Sequence, residues 1–236
     1  MLKKELNNKS PLRILENTTQ GGLGKGNLGV FAARHGVGKT ACLVHFALDA
    51  LLQGKKVLHL SFAENAEHIL SWYESLFTEL KKAYKLESAA DIHDEIEAHR
   101  LILNFTDRHL SYDTFKNKVK TFIGSLSFAP ELIIVDGYDF EKADKEQIGH
   151  FKQLAVEMDA EIWVSFPLHG KDIVARKPNT LPAPLDRFNG LFSVVILLDS
   201  EKERVMLRLL RDHDRECVED THLRLNPTTL LLHENS

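Results

Sequence analysis

The chain has 236 residues, 43% of them hydrophobic and 27% charged, with 34 acidic against 30 basic side chains and a net charge of -4. Those totals suit one α/β domain and argue against binding nucleic acid through bulk charge, leaving only a local basic face for such a role. No apolar run is long enough to cross a bilayer, the start MLKKELNNKSPLRI lacks the apolar core of a secretion signal, and Cys42 and Cys217 stand alone, so a reducing cytoplasm is the expected setting.

Residues 1–10 are polar and expected to be loose. Ser10-Pro11 reads as a helix start, with a short helix to about Asn17. Thr18 to Asn27 holds Gly21, Gly22, Gly24 and Gly26. No strand precedes this run, so it reads as a turn delivering the chain to the first core strand.

Leu28 to Leu52, LGVFAARHGVGKTACLVHFALDALL, reads as a buried strand, a glycine-containing loop and an apolar helix. Within it Ala33-Arg34-His35-Gly36-Val37-Gly38-Lys39-Thr40 matches GxxxxGK[ST] except that alanine takes the first glycine's place. Gly36 and Gly38 let the backbone curl until several N–H groups face one point, and the following helix adds the positive end of its dipole. Its first residues, Lys39, Thr40 and Ala41, close the loop. A nucleoside triphosphate is the natural occupant. Lys39 is suited to the β- and γ-phosphates and the Thr40 hydroxyl to Mg²⁺. His35 sits at a variable position of the loop and is expected to be exposed.

Gly54 ends that helix, and Lys56 to Phe62 (KVLHLSF) forms the second strand. Glu64 lies just past its end. That strand is expected beside the phosphate-loop strand, a position from which a carboxylate faces the γ-phosphate. Residues 66–85 show helical periodicity, with Ile69, Trp72, Tyr73, Leu76, Phe77 and Leu80 on one face. An acidic helix over 88–98 follows, presenting a solvated face.

Arg100 to Phe105 is the third strand and Tyr112 to Ile123 an amphipathic helix. Leu132-Ile133-Ile134-Val135-Asp136 then places a carboxylate at the end of a fully apolar strand, the second signature of a nucleotide site. A helix over 145–158 leads to the strand EIWVSF. The long loop 167–190 carries Lys171, Arg176 and Lys177, a positive face suited to single-stranded nucleic acid. Strands at Phe192 to Leu198 and Arg204 to Leu210, with weaker runs at 222–225 and 229–233, complete the chain. Alternating strands and helices followed by hairpin-joined strands imply a largely parallel twisted sheet flanked by helices, with an antiparallel edge.

The blocks VFAARHGVGKTACLVHFALDALLQGKKVLHLSFAEN, LIIVDGYDF, EIWVSF and VMLRLLRDHDRE resemble, in content and order, the RecA-like ATPases, within them the branch of DnaB-type helicases and KaiC-type ATPases. The resemblance spans roughly Leu12 to Leu231 and implies a single RecA-like P-loop domain that binds ATP with Mg²⁺ and hydrolyses it. It implies Glu64 as the general base, Asp136 as a metal ligand through water, and adenine as the base. It further implies a homo-oligomer in which Arg211 reaches a neighbour's γ-phosphate. Two positions depart from the branch. His213 replaces a second basic residue, and Phe166 follows Ser165 where the helicases have glutamine. Two roles follow from the resemblance: an ATP-driven motor or switch acting on single-stranded DNA through 167–190, or a KaiC-like regulatory ATPase whose nucleotide state controls assembly or the docking of a protein partner on 66–98.

Overall fold

A computed structural model describes residues 10–19, 21–85, 89–105, 111–140, 142–169, 181–201 and 204–234. The segment 1–9 and the candidate nucleic-acid residues Lys171, Arg176 and Lys177 lie outside the described residues. Among the described residues, six helices flank a nine-stranded mixed sheet: α1 (Leu12–Thr18), β1 (Leu28–Ala33), α2 (Lys39–Leu52), β2 (Val57–Ser61), α3 (Ala66–Tyr84), α4 (Ala89–Ala98), β3 (Arg100–Asn104), α5 (Tyr112–Ser125), β4 (Leu132–Asp136), α6 (Lys145–Met158), β5 (Glu161–Pro167), β6 (Val194–Glu201), β7 (Arg204–Asp212), β8 (Arg215–Leu225) and β9 (Leu232–Glu234). Among the described residues, no helix is long and apolar enough to cross a membrane.

The strand order is β3-β2-β4-β5-β1-β6-β7-β8-β9. Pairing is parallel from β3 through β6 and antiparallel from β6 to β9. β1, β2 and β4 are buried along their whole length, as expected of strands covered on both faces. α2, α3 and α4 pack on one face against residues such as Phe31, Ile134 and Trp163, while α5 and α6 cover the other through Phe115, Phe151 and Leu154. β2 is not the neighbour of β1, contrary to the expectation from sequence. β4 and β5 lie between them, because both later parallel strands insert into the gap.

Local chemistry fixes the helix ends. The Asn65 side chain accepts from the His68 amide at 2.8 Å to start α3, and Lys85 in the left-handed region ends it. α6 opens with a reciprocal box, Asp144 accepting from the Gln147 amide at 2.8 Å and Gln147 accepting from the Asp144 amide at 2.9 Å. At the other end of the chain the strand reading falls short: β8 runs over 11 residues. Its inward positions include Cys217 and Thr221, so its alternation is only partly apolar.

Candidate functional site

The carboxyl ends of β1, β2, β4 and β5 open on the same end of the sheet, where the loop 34–38 leads into α2. Gly36 and Gly38 have φ of +77° and +114°, the left-handed backbone the curl requires. The start of α2 has no side-chain cap and no acidic residue in its first turn. The Cys42 amide is taken by the Gly38 carbonyl at 3.0 Å. The amides before it have no helical partner by geometry, an arrangement that suits an anion. Arg34, His35 and Gly36 are exposed, whereas Val37 packs against the core and the Ala41 side chain is buried, so Ala41 offers this site its backbone amide alone.

The Lys39 ammonium donates to the carbonyls of Ala33 and Arg34, both at 3.1 Å, and so folds back over its own loop. Burial pulls its pKa below the ordinary lysine value, with the Asp136 carboxylate pulling the other way. One residue on, the Thr40 hydroxyl donates to Asp136 Oδ2 at 2.8 Å. The end of the apolar strand β4 and the first turn of α2 therefore meet through a pair of side-chain oxygens. A hydroxyl and a carboxylate beside a cluster of amides make a donor set that suits a hard divalent cation carrying an anionic ligand.

Glu64 belongs to the same end of the sheet. Asn104, Ser61 and Asp136 stand in one row across β3, β2 and β4. The Ser61 hydroxyl donates to the Glu64 carbonyl at 2.7 Å and accepts from the Glu64 amide at 3.2 Å, and Asn104 Nδ2 donates to the same carbonyl. Glu64 itself is exposed, on a backbone pinned from both sides. The chain leaving β4 presses on this segment. Gly137 has φ +72°, and a Cβ added there would sit 2.4 Å from the Ala63 Cβ and 2.9 Å from the Ala63 amide nitrogen. The Gly137 amide donates to Ser165 Oγ at 3.1 Å, which ties β5 to the same turn. Sequence reasoning missed Ser61, Asn104 and Gly137; polar or glycine residues at the carboxyl ends of apolar strands were the available signal.

Other candidates sit elsewhere. Phe166 points into the core, its ring 5.3 Å from that of Phe140 and 6.0 Å from that of Phe188, so the residue after Ser165 does not face this site. The Arg211 side chain is only 8% exposed. It pairs within its own chain with Glu216 at 2.6 Å and with Asn189. In this single chain its guanidinium is therefore held by Glu216 and Asn189 beside the start of β8. His213 is likewise engaged, with Nδ1 2.8 Å from Asp212 Oδ1 and Nε2 3.2 Å from the Leu23 carbonyl. His93, Glu74 and Glu97 form a separate cluster on α3 and α4 whose ligand atoms lie within 4.8 Å of one another. Arg100 stands 4.0 Å from each of its two carboxylates and supplies counter-charge.

Two histidines are buried without full hydrogen bonding among the described residues. His59 Nδ1 meets the Tyr73 hydroxyl at 3.1 Å while Nε2 has no partner, and neither ring nitrogen of His45 has one. Burial pushes both down to about 4. The nearby carboxylates, Asp49 for His45 and Asp136 for His59, only partly oppose it. Compared with known proteins, the sequence matches no family model and no curated protein, so what can be said of function rests on these residues.

Proposed function

We propose that the chain is a RecA-like P-loop ATPase that binds ATP with Mg²⁺ at residues 33–41 and hydrolyses it. The observation that carries this reading is the 2.8 Å hydrogen bond from Thr40 to Asp136 at the uncapped start of α2. Two residues 96 positions apart meet there as oxygen ligands, beside a lysine that rests on carbonyls at 3.1 Å. In this reading Lys39 exchanges those carbonyls for the β- and γ-phosphates, and the amides around Gly36 and Gly38 take the remaining phosphate oxygens. Thr40 and Asp136 would hold Mg²⁺, which would supply positive charge to offset that on the phosphate oxygens. Glu64 accepts a proton from water as the water oxygen bonds to the γ-phosphorus. The bond from that phosphorus to the bridging oxygen breaks, and its electron pair leaves with ADP. The pinned backbone of residues 61–64 supports this role by fixing where the carboxylate starts. Adenine as the base rests on the family resemblance alone.

Calorimetry with Mg²⁺ and a slowly hydrolysed ATP analogue, run beside phosphate release, tests the reading. Lys39→Ala should bind at least about tenfold more weakly through loss of a charge-assisted contact. Glu64→Gln should bind normally and turn over about a hundredfold more slowly, the usual worth of a positioned base. No heat from the unaltered protein would refute the assignment. Repeating turnover with single-stranded DNA at two salt concentrations, and sizing the protein with and without ATP, separates a DNA-stimulated motor from a nucleotide-controlled assembly.

A further inference from the structure

The glycine-rich turn at 21–26 has no part in the site above, yet it borders a cavity of about 160 Å³ at the opposite end of the sheet. There the amino ends of β4 and β5 meet the carboxyl end of α2 and the helix α1. The floor is aromatic: Trp163 and Phe46 line it with ring centroids 5.0 Å apart, nearly edge to face. Trp163 can lie flat on β1 only because residue 29 is glycine, since a Cβ there would sit 2.5 Å from its ring. On the rim, Gly21 and Gly22 hold φ of +100° and +102° and send no side chain across the opening.

The walls carry four carboxylates, Glu16, Asp49, Glu131 and Glu161, against two lysines, Lys25 and Lys55. Much of this charge is already matched. Arg13 pairs with Glu16 at 2.6 Å and with Asp49, and Lys25 is drawn to Asp159 at 2.7 Å. Glu131 and Glu161 share the lining cations Lys55 and Lys25, the latter already bonded to Asp159. Desolvation pushes the Glu161 carboxyl above its ordinary value. Lys55, the Gly24 amide and Lys25 oppose this without cancelling it, and Glu16 adds to it. The carbonyl end of α2 adds further negative potential. An anion is therefore disfavoured here, and a cation with a flat apolar body satisfies both the floor and the wall.

We infer that this cavity is a binding site for a small organic cation, a primary amine or guanidine on an apolar body, with Trp163 and Phe46 beneath the body and Glu161 receiving the charged end. The site is independent of the phosphate loop, which lies at the other end of the sheet. Titrating Trp72→Phe protein, in which Trp163 is the sole tryptophan, with phenethylamine tests it by tryptophan emission. Saturable change is expected, with 2-phenylethanol and phenylacetate at least about tenfold weaker, the worth of one charge-assisted contact. Glu161→Gln should weaken phenethylamine about tenfold on the same ground, and Lys39→Ala should leave the response unchanged. An unaltered thermal unfolding midpoint in Glu161→Gln separates loss of contact from loss of fold. No saturable response, an equal response to 2-phenylethanol, or full affinity in Glu161→Gln would overturn the proposal.

Discussion

Gly137 lies against Ala63 so closely that a methyl group at residue 137 would be 2.4 Å from the Ala63 Cβ. The turn after the strand bearing Asp136 thereby sets the position of the segment leading to Glu64. Gly137→Ala adds both a clash and a left-handed φ that alanine adopts poorly, so it should cost about 1–3 kcal/mol of stability. Turnover should fall further than nucleotide affinity, because the displaced element carries Glu64 rather than the phosphate loop. Urea denaturation and paired binding and turnover measurements read the two effects separately.

Asp136 is buried, and its Oδ2 accepts from Thr40. Thr40→Val keeps the shape of the side chain and removes the donor, which should destabilise the metal-free protein by about 1–3 kcal/mol, the cost of leaving a buried acceptor short of a partner. Thr40→Ser should restore most of that stability. Denaturation in the presence of a chelator isolates this term from any contribution of bound metal.

Nucleotide binding should be linked to protons through Lys39. Its pKa is lowered in the free protein, and contact with phosphate favours the charged form. Binding should therefore take up protons, and affinity should fall as pH rises through the free-state pKa of the ammonium. Calorimetry in two buffers of different ionisation enthalpy measures the uptake. Lys39→Arg, which stays charged throughout, should abolish it.

Acid should unfold the protein through His45 and His59. Each titrates at about 4 when folded, against about 6.5 in an unfolded chain. The unfolded state thus binds more protons below that value, and stability falls as pH drops from about 6.5 toward about 4. The full loss is about 3 kcal/mol for each histidine over that window. His59→Phe should flatten the dependence, as measured by denaturation midpoints across the same range.

Much of the fold was legible because it is written in local periodicity. The apolar runs of β1, β2, β4 and β5 and the periodic stretches of α3 and α6 fall where the sequence pattern places them. The glycine turn between β1 and α2 was equally plain, since its glycines and Lys39-Thr40 are contiguous. What local pattern could not carry was partnership. Nothing near Arg211 in sequence announces Asn189, and nothing in KVLHLSF states that β4 and β5 intervene between β2 and β1. Ser61, Asn104 and Gly137 escaped for the same reason, because each acts through a residue brought to it only by the sheet.

A Cβ built at Gly38 would meet the Leu225 side chain at 2.4 Å, so one wall of the loop comes from β8, far along the chain. During synthesis residues 33–41 leave the ribosome long before that wall exists. That contact forms only once β8 has been made, and a chain cut short after β7 would lack it.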